Sequence, residues 1–225
     1  VVPNPNLKPE YAYSAEIGFA GKLSSQVTLD ASGFYTLLNN AIVRGPYTFN
    51  GKDSIDYDGT YSQVLALQNT SEVKVWGVQA ALTIDFTKSL QFFTAINYQK
   101  GKEKSPDDGQ YYAPTHVAPL FGTVQLSYKQ SKFQGMLYML YNGTIGYDNL
   151  ALSERADTHL YAKDENGNPY APSWATVNLK GSYSVTSFLT LDAGLENIFD
   201  VRYRPYSSGI TAPGRNFIAA IRFKF

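Results

Sequence analysis

The sequence predicts an all-β fold, an antiparallel up-and-down transmembrane β-barrel to which this chain contributes about nine strands. Three observations predict it. Apolar residues alternate at period two along segment after segment, connections alternate between short and long, and charged residues stand mid-strand opposite the apolar face.

In the first strand, Tyr11 to Ala20, Tyr11, Tyr13, Ala15, Ile17 and Phe19 share one face, while Ala12, Ser14, Glu16 and Gly18 share the other. After Gly21 to Ser25, Val27, Leu29, Ala31, Gly33 and Tyr35 repeat the pattern with Asp30 on the polar side. Trp76, Val78, Ala80, Leu82, Ile84 and Phe86 form the next apolar face, and Thr87-Lys88-Ser89 turns the chain into Leu90, Phe92, Thr94, Ile96 and Tyr98, a hairpin. Leu120 to Tyr128 and a Gln130-Ser131-Lys132 turn lead to a sixth strand, Phe133 to Tyr147, where the run Met136 to Leu140 blurs the faces. Ala175 to Val185, Leu189 to Leu195 and Phe217 to Phe225 complete the set, the last with Arg222 and Lys224 on its polar side. No segment repeats convincingly at period 3.6.

The long connections fall around Asn50 to Ser62, Lys102 to Thr115, Gly146 to Ser173 and Pro205 to Arg215, all at one end of the sheet. Short turns on one side and long loops on the other are the habit of outer-membrane barrels. A soluble sandwich or closed ligand-binding barrel shares the period-two pattern. It has no reason for mid-strand Glu16, Asp30, Asp192, Glu196, Arg222 and Lys224, or for aromatic brackets at Tyr11, Tyr13 and Phe19, Trp76 and Phe86, and Phe223 and Phe225.

Composition agrees and excludes several classes. The 18 Tyr and 13 Phe against 2 Trp and 2 Met favour strands and amphipathic surfaces over helix bundles. No apolar run approaches the roughly 18 residues of a membrane helix. With 19 basic and 19 acidic residues scattered along the chain, nucleic acid is not an expected partner. Cysteine is absent, which removes disulfides and thiolate metal sites. Val1 to Asn6 has no basic segment followed by an apolar one, so the chain is expected to be a mature protein or a piece of one. Bacterial barrels have even strand numbers, and an open sheet in lipid leaves edges whose unpaired backbone groups each cost several kcal/mol. The expectation is therefore a partial barrel domain over residues 1–225, with Val1 to Pro9 in a loop whose partner strand lies elsewhere.

Three motifs carry a family resemblance over essentially the whole chain. Asn197, Ile198, Phe199 and Asp200 followed by Tyr203, then Pro213, Gly214 and Arg215 opening a strand that ends on Phe225, and Asn4-Pro5-Asn6-Leu7-Lys8-Pro9-Glu10 before the first strand, resemble TonB-dependent outer-membrane receptors. Ala220 stands where such barrels often have Gly, while Phe223 and Phe225 keep the alternating aromatic ending. The resemblance implies a barrel of about 22 strands, with a plug domain and earlier strands absent from this chain. It further implies a bacterial outer-membrane receptor that binds a scarce bulky solute (an iron chelate or siderophore, haem or cobalamin) and imports it with energy from the TonB protein. The implied partners are outer-membrane lipid, the plug, TonB and, through the C-terminal strand, the barrel-assembly machinery. Passive pores and autotransporter translocators share strands and girdles, and a soluble adhesin is a further rival.

Ligand contacts would come from long loops, where Tyr57, Tyr61, Tyr111, Tyr112, His159, Tyr161 and Tyr206 offer aromatic surface with hydrogen-bonding tips. The competing role for each tyrosine is packing of loop on loop or a place in the interfacial girdle. Between the two histidines, His159 lies mid-loop and is the better candidate, whereas His116 borders a strand. Asp164-Glu165-Asn166-Gly167-Asn168 and Asp107-Asp108-Gly109 are oxygen-rich, yet they read as turns before they read as calcium loops. No nucleophile elbow or phosphate loop occurs, so neither catalysis nor a cofactor is expected.

Overall fold

The computed structural model describes residues 1–105, 108–118, 120–157 and 159–225. Its strands in chain order are β1 (Tyr11–Lys22), β2 (Val27–Pro46), β3 (Ser54–Tyr57), β4 (Thr60–Gln63), β5 (Leu65–Asp85), β6 (Leu90–Lys104), β7 (Tyr111–Tyr112), β8 (Leu120–Gln130), β9 (Phe133–Asn142), β10 (Ala162–Lys163), β11 (Pro169–Tyr170), β12 (Trp174–Ser184), β13 (Leu189–Glu196) and β14 (Asn216–Phe223). A single 3₁₀ turn (Tyr147–Asn149) and a five-residue helix, α1 (Leu152–Ala156), precede β10.

The wall is one open antiparallel sheet in the order β1-β2-β5-β6-β8-β9-β12-β13-β14, each strand pairing with the next wall strand in sequence, and β7 pairs with the far end of β6. The nine predicted strands are the nine of this path. Strand ends differ from the sequence reading: β2 runs to Pro46 and β5 begins at Leu65, so these strands reach 20 and 21 residues. Their extensions, Val43 to Pro46 against Leu65 to Gln68, pair beyond a register shift at Leu38 to Ile42 that contains Asn40 with φ 57°. Alternation is lost at that bulge, which is why the sequence pattern stops near Thr36. The sixth wall strand, β9, ends at Asn142, short of Tyr147.

Register settles the faces. Phe19, Ala31, Ala80, Ile96 and Gly122 lie in one cross-strand row, as do Leu126, Leu137, Leu179, Leu195 and Phe217. On β9 the apolar face is Phe133, Gly135, Leu137, Met139 and Tyr141, because these pair with the apolar positions of β8 and β12. Large side chains on this face are open to the surroundings: Ile17 is 82% exposed and Ile221 64%. In water that would be an aggregation hazard; against hydrocarbon it is the solvated surface. The opposite face carries Arg222 with Asp192 at 2.7 Å and Lys180 with Glu196 at 2.8 Å, tying β14 to β13 and β12 to β13.

Turn chemistry explains the short connections. Thr87 Oγ1 accepts from the Ser89 and Leu90 amides, and Thr186 Oγ1 accepts from those of Phe188 and Leu189, so a hydroxyl replaces missing ladder partners. The N-terminal segment is fastened across the bulge. Asn4 Nδ2 donates to Leu67 O, the Lys8 amide to Asn69 Oδ1, and Ile42 N to Glu10 Oε1, while Asn69 Nδ2 reaches both Lys8 O and Asn40 O.

The connection from β13 to β14 is built on Asn197 and Asp200. Asn197 is 4% exposed with φ 47°, a left-handed conformation that Asn tolerates well. Its side chain accepts from Val201 N at 2.9 Å and donates to Val201 O and Pro213 O, and its amide donates to Asn178 Oδ1. Asp200 Oδ1 accepts from Arg215 N at 2.7 Å, and Arg215 Nε donates to Ile198 O. A Cβ on Gly214 would stand 2.5 Å from Asp200 Oδ1, so a side chain there would push that carboxylate off its bond to Arg215 N. Phe199 is 71% exposed, and Phe225 is fully exposed beyond β14. Asn197→Ala removes three side-chain bonds and places Ala in the left-handed region, for an expected loss of about 2–4 kcal/mol. Denaturant unfolding of the complete folded protein checks this, with Asn197→Gly expected to lose less because its backbone fits; equal stability of Asn197→Ala and wild type would refute the account.

Candidate functional site

The long connections gather at one end of the sheet, and two of them, 143–173 and 197–215, are locked together. Ile145 and Ala171 exchange backbone hydrogen bonds, closing the first loop at its base. Glu154, on α1, is 6% exposed; its Oε2 accepts from the Ala151 amide at 3.1 Å and from the Tyr206 hydroxyl of the second loop at 2.6 Å. Arg204 Nη1 donates to Leu160 O at 3.2 Å, a second link between the loops. At the base of the pair, Trp174 and Tyr203 stack with ring centroids 4.2 Å apart.

Between the loops lies a cavity of about 350 Å³ lined by His159, Tyr161, Arg202, Arg204, Tyr206 and Thr211, among others. Its electrostatics follow from burial first and from the nearby Glu154 carboxyl second. Burial, and then the nearby Glu154, push the Tyr161 phenol up to about 12, and burial with the Glu154 hydrogen bond raises Tyr206 as well. Both phenols are therefore neutral donors at physiological pH. The buried Tyr161 hydroxyl and Glu154 Oε1 have no hydrogen-bond partner among the described residues. The Tyr206 proton is taken by Glu154, so the donors presented to the cavity are the Tyr161 phenol, two guanidinium groups and loop hydroxyls, a lining suited to an acceptor-rich or anionic ligand with a flat portion.

The sequence candidates divide. His159, Tyr161 and Tyr206 line this one cavity. Tyr112 faces the same loops: its hydroxyl donates to Asp108 Oδ2 at 2.6 Å, holding that carboxyl below the usual range. The Arg155 guanidinium lies 5.8 Å from the Tyr112 ring and 4.3 Å from that of Tyr147. Tyr111, its neighbour in β7, turns to the other face and donates to Glu72 at 2.6 Å. Tyr57 and Tyr61 sit on the β3–β4 hairpin, 73% and 78% exposed, and neither lines the cavity. His116 occupies an exposed turn at φ 64°.

Asp164 accepts from the amides of Asn166 and Asn168 at 2.9 and 2.8 Å, and these bonds lower its pKa; its carboxylate closes a turn. Asp107 lies outside the described residues. Among the described residues, no three His, Asp or Glu side chains gather as a metal group. Glu154, Arg202 and Arg204 were not singled out in the sequence. The alternation Arg202-Tyr203-Arg204-Pro205-Tyr206 was an available signal for the arginines, whereas nothing local marks Glu154, whose role depends on a residue 52 positions away.

Comparison with known proteins agrees with this architecture. The family model described as TonB dependent receptor-like, beta-barrel, matches residues 1–198. A vitamin B12 transporter of Photobacterium profundum is 24% identical over 99% of this chain and 31% of its own length. The heme/hemopexin utilization protein C of Haemophilus influenzae is 25% identical over 96% of this chain and 29% of its own length. A ferric enterobactin receptor of Pseudomonas aeruginosa, solved in complex with enterobactin, superposes with a TM-score of 0.74 at 19% identity, over 99% of this chain and 32% of that one. The chain thus spans about a third of the length of these relatives. The matches lend no support to a passive pore, an autotransporter translocator or an adhesin. With its sheet order, open apolar face and latched loops, this chain belongs to the TonB-dependent receptor-like β-barrel family.

Proposed function

We propose that the chain is the C-terminal part of the barrel domain of a bacterial outer-membrane receptor, which binds a scarce bulky solute and imports it with TonB-coupled energy. A plug domain and the remaining strands complete the receptor, and the last strand is the handle for the barrel-assembly machinery. The protein moves its ligand and does not transform it.

The observation that carries this reading is the cavity between the loops 143–173 and 197–215, at the long-loop end of the sheet. Its volume of about 350 Å³ suits one arm of a chelate or one edge of a macrocycle. The relatives' names include vitamin B12, heme/hemopexin and ferric enterobactin, which supports the solute class without choosing within it. The test uses the full-length protein in detergent, titrated with a ferric catecholate, a ferric hydroxamate, haem and cobalamin. Cells with and without TonB are then assayed for uptake of whichever ligand binds. One tight ligand with TonB-dependent uptake is expected; uptake indifferent to TonB would overturn the reading.

Replacing Arg202 and Arg204 together by Ala is expected to weaken binding of an anionic ligand about 10- to 100-fold, as loss of charge-assisted hydrogen bonds does. Calorimetry on the full-length variant reads it, and unchanged affinity would remove the cavity from the site. The phenols add a pH dependence. Raised tyrosine pKa values mean that their contribution to loop contact is fully present below about pH 10. It is lost as the pH climbs toward the Tyr161 value of about 12. The near-ultraviolet absorbance of phenolate should therefore show Tyr161 ionising later than exposed tyrosines, a component that Tyr161→Phe removes, and Tyr206→Phe should raise hydrogen exchange in the two loops at neutral pH; identical exchange in variant and wild type would count against the latch.

A further inference from the structure

Helix α1 is five residues long, too short to hold itself in water, so its existence depends on what its side chains reach. Successive residues on a helix point about 100° apart, and two neighbours on α1 use that divergence to reach different loops. Glu154 reaches the connection after β13, where its Oε2 accepts from the Tyr206 hydroxyl at 2.6 Å. Arg155 reaches the connection between β6 and β8: its guanidinium lies 4.3 Å from the Tyr147 ring and 5.8 Å from that of Tyr112. One turn of helix, itself in the connection from β9 to β12, thus touches the two long connections beside it.

Each contact has a fixed footing. Tyr112 belongs to β7, where it pairs with Glu103 of the wall strand β6, and its hydroxyl donates to Asp108 Oδ2 at 2.6 Å. Arg155 Nε donates to Leu150 O at 3.0 Å and Nη2 to Asp148 O at 3.3 Å, which binds α1 to the 3₁₀ turn before it. Beneath, Leu150 is fully buried. Tyr206 lies in a segment where Ser208 N donates to Pro205 O at 3.1 Å and Ala212 N to Tyr203 O at 3.0 Å. Neither Arg155 nor Tyr112 lines the cavity between the loops 143–173 and 197–215, and the hydrogen bonds and ring contacts of Arg155 include no residue of 197–215 among the described residues.

Helix formation is cooperative, so an element this short is held or lost as a whole. Loss of the Arg155 anchor therefore loosens Glu154, and with it Tyr206, although the two helix side chains share no partner. We propose that Arg155 is a positioning residue for the cavity, and that α1 couples the β6–β8 connection to loop 197–215, so that Tyr112 controls where Tyr206 and Arg204 stand. That the cavity takes a ligand rests on the function proposed above; the coupling itself does not. A solute entering the cavity then meets three loops moving as one unit, and its affinity depends on residues it does not touch.

The test is hydrogen exchange on the full-length receptor in detergent, without ligand. Arg155→Ala is expected to speed exchange of the Ser208 and Ala212 amides on the order of 10-fold, as loss of a cation–π anchor does. The Ile198 amide, bonded to Val177 O in the wall, should keep its wild-type rate. Tyr112→Ala should act like Arg155→Ala, whereas Tyr112→Phe, which keeps the ring, should stay close to wild type. In a Tyr206→Phe background Arg155→Ala should add little, because the route is already cut. Unchanged exchange at Ser208 and Ala212, an equal rise at Ile198, or a full additional effect in the Tyr206→Phe background would overturn the coupling. Binding reads the positioning role separately, by titration with a ferric catecholate, a ferric hydroxamate, haem and cobalamin. The probe that the wild type binds is expected to bind Arg155→Ala about 3- to 10-fold more weakly, because the competent arrangement of the loops is less populated. Unchanged affinity overturns the positioning role; a wild type that binds none of the four counts against the ligand-site reading, while the exchange result still decides the coupling.

Discussion

The structure depends on one constraint, that a peptide group in hydrocarbon must find its hydrogen-bond partner within the protein. A sheet in which every wall strand pairs with the next in sequence satisfies it locally, and the ladder from β1 to β14 does so through all of its internal strands. The edges remain: β1 and β14 each carry one side unpaired in this open sheet. Once pairing is obligatory, register follows, because a slip by one residue would turn Asp192 and Arg222 to the lipid and Leu191 and Ile221 inward.

The same constraint separates the two ends. At the short-turn end, the chain reverses with little more than a hydroxyl cap, as at Thr87 and Thr186, and little side-chain chemistry collects. At the other end the strands outlast the apolar band, the chain is freed from the ladder, and backbone groups need partners again. Asn197 and Asp200 supply these for the last connection, an amide and a carboxylate each able to satisfy backbone groups. The loop they hold brings Arg202, Arg204 and Tyr206 over the rim. The candidate cavity is therefore placed in part by residues that do not line it.

Glu154 extends this logic into the loops. A carboxylate this deeply buried stays tolerable through its hydrogen bonds to the Ala151 amide and Tyr206, and each such bond constrains the element donating it. Two segments otherwise free to separate are held at a fixed spacing, and the cavity between them exists because of it.

Period-two alternation, by itself, determined the nine wall strands and, for all but β9, the face each shows to lipid, because side chains on a pleated strand must alternate and one face must be apolar over about ten residues. It also determined the loop ends, and the Asn197 to Asp200 and Pro213 to Arg215 motifs marked the last connection. Where alternation failed, so did legibility. The bulge at Leu38 to Ile42 hid the upper halves of β2 and β5, and the apolar run in β9 took its faces only from the register with β8 and β12. The site was legible as a set of loop aromatics and no further. Tyr161 and Tyr206 share a cavity while Tyr57 and Tyr61 stand on a separate hairpin, and Tyr111 and Tyr112 point to opposite faces. Only the tertiary structure decided those groupings, because loop residues have no period to read and their positions are set by contacts, such as Glu154 with Tyr206, between residues far apart in the chain.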